Sequence, residues 1–210
     1  MELLNTTNNN LLRVLKENKC LGVIGSRHCG KTTTLLNLVE TVKESKYNIY
    51  YYAYHEETKS LIQSKYKNVV FFNTIEELEQ IEQGFIFIDE FHTLINLQDR
   101  HQKQAIERLF NQLYQKQGVC MVLCSTPEYY NKVICSGIDN FIINRITDFK
   151  QLVQGSKIAI YIKYIGSNLK GMNCFNVPIG KSFYKGSLIN IKYDNKTDKK
   201  ANQIDLFEGL

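Results

Sequence analysis

Tryptophan is absent from the 210 residues, and arginine is scarce: of 26 basic residues five are arginine and 21 lysine. The missing tryptophan, beside abundant Asn, Lys, Tyr and Ile, reads as compositional bias of the source. Six cysteines, at 20, 29, 120, 124, 135 and 174, include no C-x-x-C pair, which argues against both a zinc ribbon and a disulfide scaffold. Cys20, Cys120 and Cys124 fall in apolar runs and read as buried thiols. His28, His55, His92 and His101 show no metal-ligand spacing. No apolar run has the length of a membrane span, and the polar, Asn-rich stretch from Met1 to Asn10 lacks the charged start and apolar centre of a signal peptide. A soluble intracellular protein is the expectation. No repeats are visible. What the composition does supply is 43% hydrophobic residues, enough at this length for one α/β domain with a proper core. The formal charge of +5 is compatible with a nucleic-acid partner without demanding one.

The most informative segment is Gly25-Ser26-Arg27-His28-Cys29-Gly30-Lys31-Thr32. It follows an apolar run, Cys20 to Ile24, and opens a helix-like stretch from Thr33 to Glu40. A strand, a glycine-bearing turn and a helix in this order form a phosphate-binding loop, G-x-x-x-x-G-K-[ST]. The two glycines let successive N–H groups converge on an anion, and the helix N-terminus behind them adds positive potential. Lys31 can reach the β- and γ-phosphates, and the Thr32 hydroxyl can bind Mg²⁺. The expected ligands are therefore ATP and Mg²⁺, held by residues 25–32 with Thr33 behind them. Cys29, inside the loop, is expected to expose the site to oxidation.

Along the rest of the chain, helical spacing or composition predicts helices over 8–18, to about Lys46 after the loop, over 56–65, from a Thr74 cap towards Gly84, over 98–117 and over 128–135. Strands are expected at 20–24, 48–53, 68–72, 85–88, 119–124 and 140–143. Strands alternating with helices predict an α/β fold with a mostly parallel, doubly wound sheet. After Gly155 the pattern changes to strands at 157–165, 173–177 and 188–193, a β-rich extension. The expected organisation is an N-terminal helix (1–17), a nucleotide-binding core (18–155), the extension (156–193) and a charged, flexible tail (194–210).

Phe85-Ile86-Phe87-Ile88 reads as a strand buried on both faces, and it ends in Asp89-Glu90. Asp89 is placed to hold Mg²⁺ at the carboxyl edge of the sheet, and Glu90 to polarise the attacking water. Two strand candidates between the loop and Asp89 permit a strand inserted between the two motif strands, the arrangement of ATPases with a catalytic glutamate. The next strand ends Cys124-Ser125-Thr126-Pro127, so Ser125 or Thr126 is either a γ-phosphate sensor or a helix cap. Among the five arginines, Arg145 is the first choice for a charge-stabilising finger and Arg27 the alternative. His92 reads as a polar loop residue near the site.

The ordered set of residues 25–32, 85–90, 115–118, 119–126 and Ser136 to Arg145 resembles the FtsK–HerA superfamily, and within it the small genome-packaging ATPases of viruses and phages. The resemblance covers about residues 18–155. It implies ATP hydrolysis, a homo-oligomeric ring acting on double-stranded DNA, a finger role for Arg145, and a site in the host cytoplasm or associated with a virion. One departure is Pro127, where the family carries Gln. Asp89-Glu90-Phe91-His92-Thr93-Leu94 and Ser125-Thr126-Pro127-Glu128 also resemble AAA+ ATPases of transposition systems, which continue into a helical lid. In the tail, Gln203-Ile204-Asp205-Leu206-Phe207 resembles the peptide by which bacterial proteins dock on the DNA polymerase sliding clamp. That resemblance implies a clamp partner engaged by Gln203, Leu206 and Phe207.

Overall fold

The computed structural model describes residues 8–147, 181–184 and 187–190. The strands expected at 157–165 and 173–177, the tail from 194 and the Gln203, Leu206 and Phe207 peptide lie outside the described residues. The described chain runs α1 (Asn8–Lys16), β1 (Cys20–Ile24), α2 (Lys31–Val42), β2 (Ile49–Tyr52), α3 (Glu56–Lys65), β3 (Val69–Phe71), α4 (Ile75–Glu79), β4 (Gly84–Ile88), α5 (Arg100–Gln115), β5 (Val119–Ser125), α6 (Lys132–Ser136) and β6 (Asn140–Ile143). A pair, β7 (Lys181–Tyr184) and β8 (Ser187–Asn190), follows.

All eight strands join one sheet in the order β3-β2-β4-β5-β1-β6-β7-β8. The first six are mutually parallel, and β7 and β8 add antiparallel beyond β6. The strand lying between β1 and β4 is β5, which comes after both in sequence. The two strands found between the motifs, β2 and β3, sit outside β4 instead. An inserted strand is present, but the crossover through α5 supplies it.

Every residue of β1, β4 and β5 is buried, as expected of parallel strands covered on both faces. Side chains alternate between two cores. Ile86 and Ile88 of β4 pack with Met121, Leu123 and Ile24 beneath Ile106, Leu109, Phe110 and Leu113 of α5. Phe85 and Phe87 face the other way, towards Leu35, Leu38 and Val42 of α2 and Leu11 and Leu15 of α1. The apolar stripe that marks α5 in sequence is the stripe it buries.

Boundaries differ where side chains compete with the helix. Thr74 caps α4 by accepting from Glu77 N, yet α4 has only five residues. The segment expected to be helical over 128–135 divides into a 3₁₀ turn, Pro127–Tyr129, and α6. Two interactions cause the break. Asn131 starts a new helix by accepting from Ile134 N at 3.1 Å. Tyr130 leaves helical geometry (φ −83°, ψ 67°) and turns inward, placing its hydroxyl 2.8 Å from the Val23 carbonyl and 2.7 Å from that of Leu123. The tips of β1 and β5 are thus tied by one phenol.

Replacing Tyr130 with Phe removes the single hydroxyl proton that the buried Val23 and Leu123 carbonyls share. The expected cost is about 1–3 kcal/mol, read as a lower urea midpoint with an unchanged far-UV circular dichroism spectrum.

Candidate nucleotide-binding site

Parallel pairing brings the carboxyl ends of β1, β4, β5 and β6 to one edge. Ile24 lies opposite both Ser125 and Ile143, and Ile88 opposite Leu123. Residues 25–30, Asp89-Glu90, Ser125-Thr126 and Asn144-Arg145 all leave the sheet there. A cleft of about 610 Å³ opens at this edge, lined among others by Arg27, Lys31, Thr32, Glu90, His92 and Thr126. Thr33, His28 and Gly30 also line it.

The loop is shaped by local sterics. Gly30 adopts φ 85°, a left-handed conformation that glycine takes without penalty, and α2 starts at the next residue. Gly25 has no room for a side chain: a Cβ there would strike Cys29 Sγ and come within 2.9 Å of Asn144 Cβ. His28, exposed at the cleft mouth, is a non-glycine at φ 57°.

Lys31 is 6% exposed, and its ammonium donates to Ser26 O at 3.1 Å, inside the loop it serves. Thr32 Oγ1 donates to Asp89 Oδ2 at 3.1 Å. Asp89 is 3% exposed. Burial, and then the neighbouring Glu90 charge, raise its pKa, while the Cys124 thiol, Thr32 and Lys31 oppose that rise. Asp89 forms no ion pair among the described residues. A buried carboxylate and a threonine hydroxyl side by side suit a divalent cation of the Mg²⁺ type, which binds through one or two protein oxygens plus phosphate and water.

Glu90 faces this pair. Its Oε1 lies 3.9 Å from Lys31 Nζ, and its Oε2 accepts from the Ser125 hydroxyl at 3.2 Å. Ser125 makes this contact in place of a helix cap, and the Thr126 side chain makes no capping bond either. His92, read from sequence as a loop residue, belongs to the same cluster: its Nδ1 is 2.8 Å from Ser125 Oγ and 3.4 Å from Glu90 Oε2. Burial lowers the pKa of His92, with Glu90 and Glu128 acting against that shift. Burial likewise raises the pKa of Cys29, with Lys31 only partly opposing it. A raised pKa works against the reactive thiolate form, so burial opposes the oxidation expected at Cys29.

A brace behind the loop was not foreseen. Asn144 N donates to Ile24 O at 2.8 Å, and its Nδ2 donates to Cys29 O at 3.3 Å and Thr34 Oγ1 at 3.1 Å. Arg145 O accepts from Ser26 N at 2.9 Å, and Ser26 Oγ accepts from Thr147 N at 2.9 Å. Arg145 therefore stands on the β6 side of the loop, away from Asp89 and Glu90, and its Nε has no hydrogen-bond partner. Only Asn144 directly following a strand hints at the brace in sequence. Asn144→Ala should weaken binding of a fluorescent ATP analogue about five- to thirtyfold, the effect of losing one to two kcal/mol of buried hydrogen bonding. Titration of the analogue into wild type and variant measures it.

The profile of the AAA domain (AAA_14) matches residues 17–172. No curated protein matches the chain at a significant level. Several solved structures share its fold. EssC, ATPases 2 and 3, from Geobacillus thermodenitrificans superposes with TM-score 0.57 at 12% identity, covering 90% of this chain and 42% of that one. The cytoplasmic domain of the type VII secretion ATPase EccC from Thermomonospora curvata gives 0.55 at 12%, covering 85% and 24%. The chain thus spans less than half of either secretion ATPase. The genome packaging NTPase B204 of Sulfolobus turreted icosahedral virus 2, in complex with ATP-gammaS, gives 0.53 at 13%, covering 82% and 96%. At these identities the likeness is one of fold. The AAA-domain match over most of the chain, set on a sheet with this loop at its carboxyl edge, places the protein in the AAA domain family as a P-loop ATPase domain.

Proposed function

We propose that the chain hydrolyses ATP with Mg²⁺ and uses the cycle to drive double-stranded DNA through a homo-oligomeric ring, in genome packaging or a related translocation process of a virus or mobile element. The observation that carries hydrolysis is Glu90 Oε1, which is not engaged by Ser125 and faces Lys31 Nζ across 3.9 Å. When Lys31 turns from Ser26 O to a γ-phosphate, Oε1 is left to accept the proton of a water. That water attacks the γ-phosphorus as the bond to the bridging oxygen of ADP breaks. The loop amides and Lys31 carry the charge that builds on the phosphoryl oxygens, and Thr32 and Asp89 hold the metal. Mg²⁺ held by Thr32 and Asp89 would supply positive charge to offset that of the phosphates.

The DNA-motor reading draws on the likeness to B204, which the fold matches over nearly that protein's whole length. Arg145 is the proposed finger towards a neighbouring subunit, a role for which its Nε, buried without a hydrogen-bond partner in the single chain, would have to turn outward; Arg27 at the cleft mouth is the alternative. The host cytoplasm or the virion is the proposed location; among the described residues no helix is long and apolar enough to cross a membrane. A second reading, an AAA-type regulator or loader in transposition or replication, is favoured by the AAA-domain match. A third reading is a nucleotide-binding adaptor that brings a partner to the sliding clamp through Gln203, Leu206 and Phe207, and it would show little DNA-stimulated turnover.

Lys31→Ala should abolish turnover. Glu90→Gln should retain ATP while hydrolysing it about 10²–10⁴-fold more slowly; full turnover in Glu90→Gln would remove it from the role of base. Added double-stranded DNA should raise the wild-type rate several-fold, with an effect that fades as salt rises. A DNA-independent rate and a monomer in the presence of a non-hydrolysable analogue would turn the choice to the regulator.

A further inference from the structure

We propose that His92 is a positioning residue that holds the Glu90 carboxylate for hydrolysis through a directed hydrogen-bond chain, His92 Nδ1–H to Ser125 Oγ–H to Glu90 Oε2. The assignment rests on the hydrolytic reading of Glu90 given above and names a further residue of that site.

Direction follows from donor counting. Glu90 Oε2 is a carboxylate oxygen and only accepts. Ser125 has one proton, and its Oγ stands 3.2 Å from Oε2 and 2.8 Å from His92 Nδ1. If that proton goes to the carboxylate, the short contact to the imidazole is satisfied only by Nδ1 donating to Oγ. If it goes to Nδ1 instead, Oε2 loses its hydroxyl donor in a half-buried site. The first arrangement satisfies both contacts and aligns the dipoles towards the negative charge. The imidazole must then carry its hydrogen on Nδ1.

The rest of the cluster keeps the ring in place. Its plane stacks on Tyr129 at 3.7 Å between centroids and 2° between planes. Tyr129 lies in the 3₁₀ turn that follows β5, and Ser125 ends β5, so both anchors of the ring come from the strand inserted between β1 and β4. Thr93 Oγ1 donates to Glu90 O at 2.7 Å and is 3.0 Å from the Tyr52 hydroxyl, which fixes the main chain at Glu90. The backbone and one carboxylate oxygen are therefore held from separate sides, leaving Oε1 as the oxygen turned towards Lys31. A base held by one oxygen presents the other in a defined direction, and fixed orientation of this kind lowers the reorganisation needed at the moment of attack.

Two substitutions separate this role from packing. In His92→Asn the side-chain amide falls near the place of Nδ1 and retains a donor; in His92→Gln the donor falls near Nε2. His92→Asn is expected to keep kcat within about threefold of wild type. His92→Gln is expected to lower kcat about 10- to 100-fold, the cost of a hydrogen bond serving a charged group, with ATP-analogue affinity within about twofold. Equal kcat in the two variants, or the reverse order, overturns the assignment. Long-range ¹H–¹⁵N correlation of the imidazole in the nucleotide-free wild type gives a readout free of turnover: a protonated Nδ1 supports the chain, and a protonated Nε2 with bare Nδ1 overturns it. Should the wild type fail to hydrolyse ATP at all, the ATPase reading falls, and the tautomer alone decides the His92 assignment.

Discussion

Parallel pairing of β1 with β5 on one side and β6 on the other is the constraint from which the site follows. In a parallel sheet all carboxyl ends point one way, so the loops after β1, β4, β5 and β6 must share an edge. Each contributes a different capability. The loop after β1 offers convergent amides and Lys31, β4 delivers the acidic pair, β5 supplies the hydroxyl that holds Glu90, and β6 braces the loop from behind. Tyr130 matters because it locks β1 to β5 at that edge, through the Val23 and Leu123 carbonyls. A slip between these strands would separate Lys31 from Glu90 before it exposed much core.

The electrostatics divide the acidic pair by environment. Asp89 is buried against Thr32 and the Cys124 thiol with no ion pair among the described residues, so its charge is costly until a cation arrives. Glu90 is more open: it accepts from the Ser125 hydroxyl, with Lys31 3.9 Å from its other oxygen and His92 nearby. Adjacent carboxylates in unlike settings can do different work, one binding and one accepting a proton. Lys31 bonded to its own loop at Ser26 O shows a cation waiting on a weak neutral acceptor, which an anionic phosphate outcompetes.

Local patterns made much of this arrangement legible. Glycine spacing marked the phosphate loop, the apolar run before Asp89 marked a strand buried on both faces, and the 3.6-residue stripe of Ile106, Leu109, Phe110 and Leu113 marked α5. The parts that escaped depend on contacts between distant residues. The place of Asn144 just after a strand does not say which partners it will meet, Cys29 and Thr34, more than a hundred positions away. His92 looked like loop polarity because its partners, Ser125 and Tyr129, lie over thirty residues away and meet it only once β5 enters beside β4. Tyr130 broke a helix that composition favoured because a buried phenol with two carbonyls outweighs one more turn of exposed helix. The identity of the inserted strand depends on a crossover, which strand order along the chain does not encode.

Glu90 sits at φ 51° and ψ 56°, a left-handed bend that an L-residue with a long side chain occupies at a cost on the order of 1–2 kcal/mol. Glycine would take the same bend without that cost and leave no acid at the edge of the sheet. The fold is therefore less stable at this point than its backbone alone would permit, and the deficit comes at the one residue whose carboxylate faces Lys31. A search for hardier variants of this chain would be drawn to position 90, and whatever it gained in melting temperature there it would surrender in chemistry.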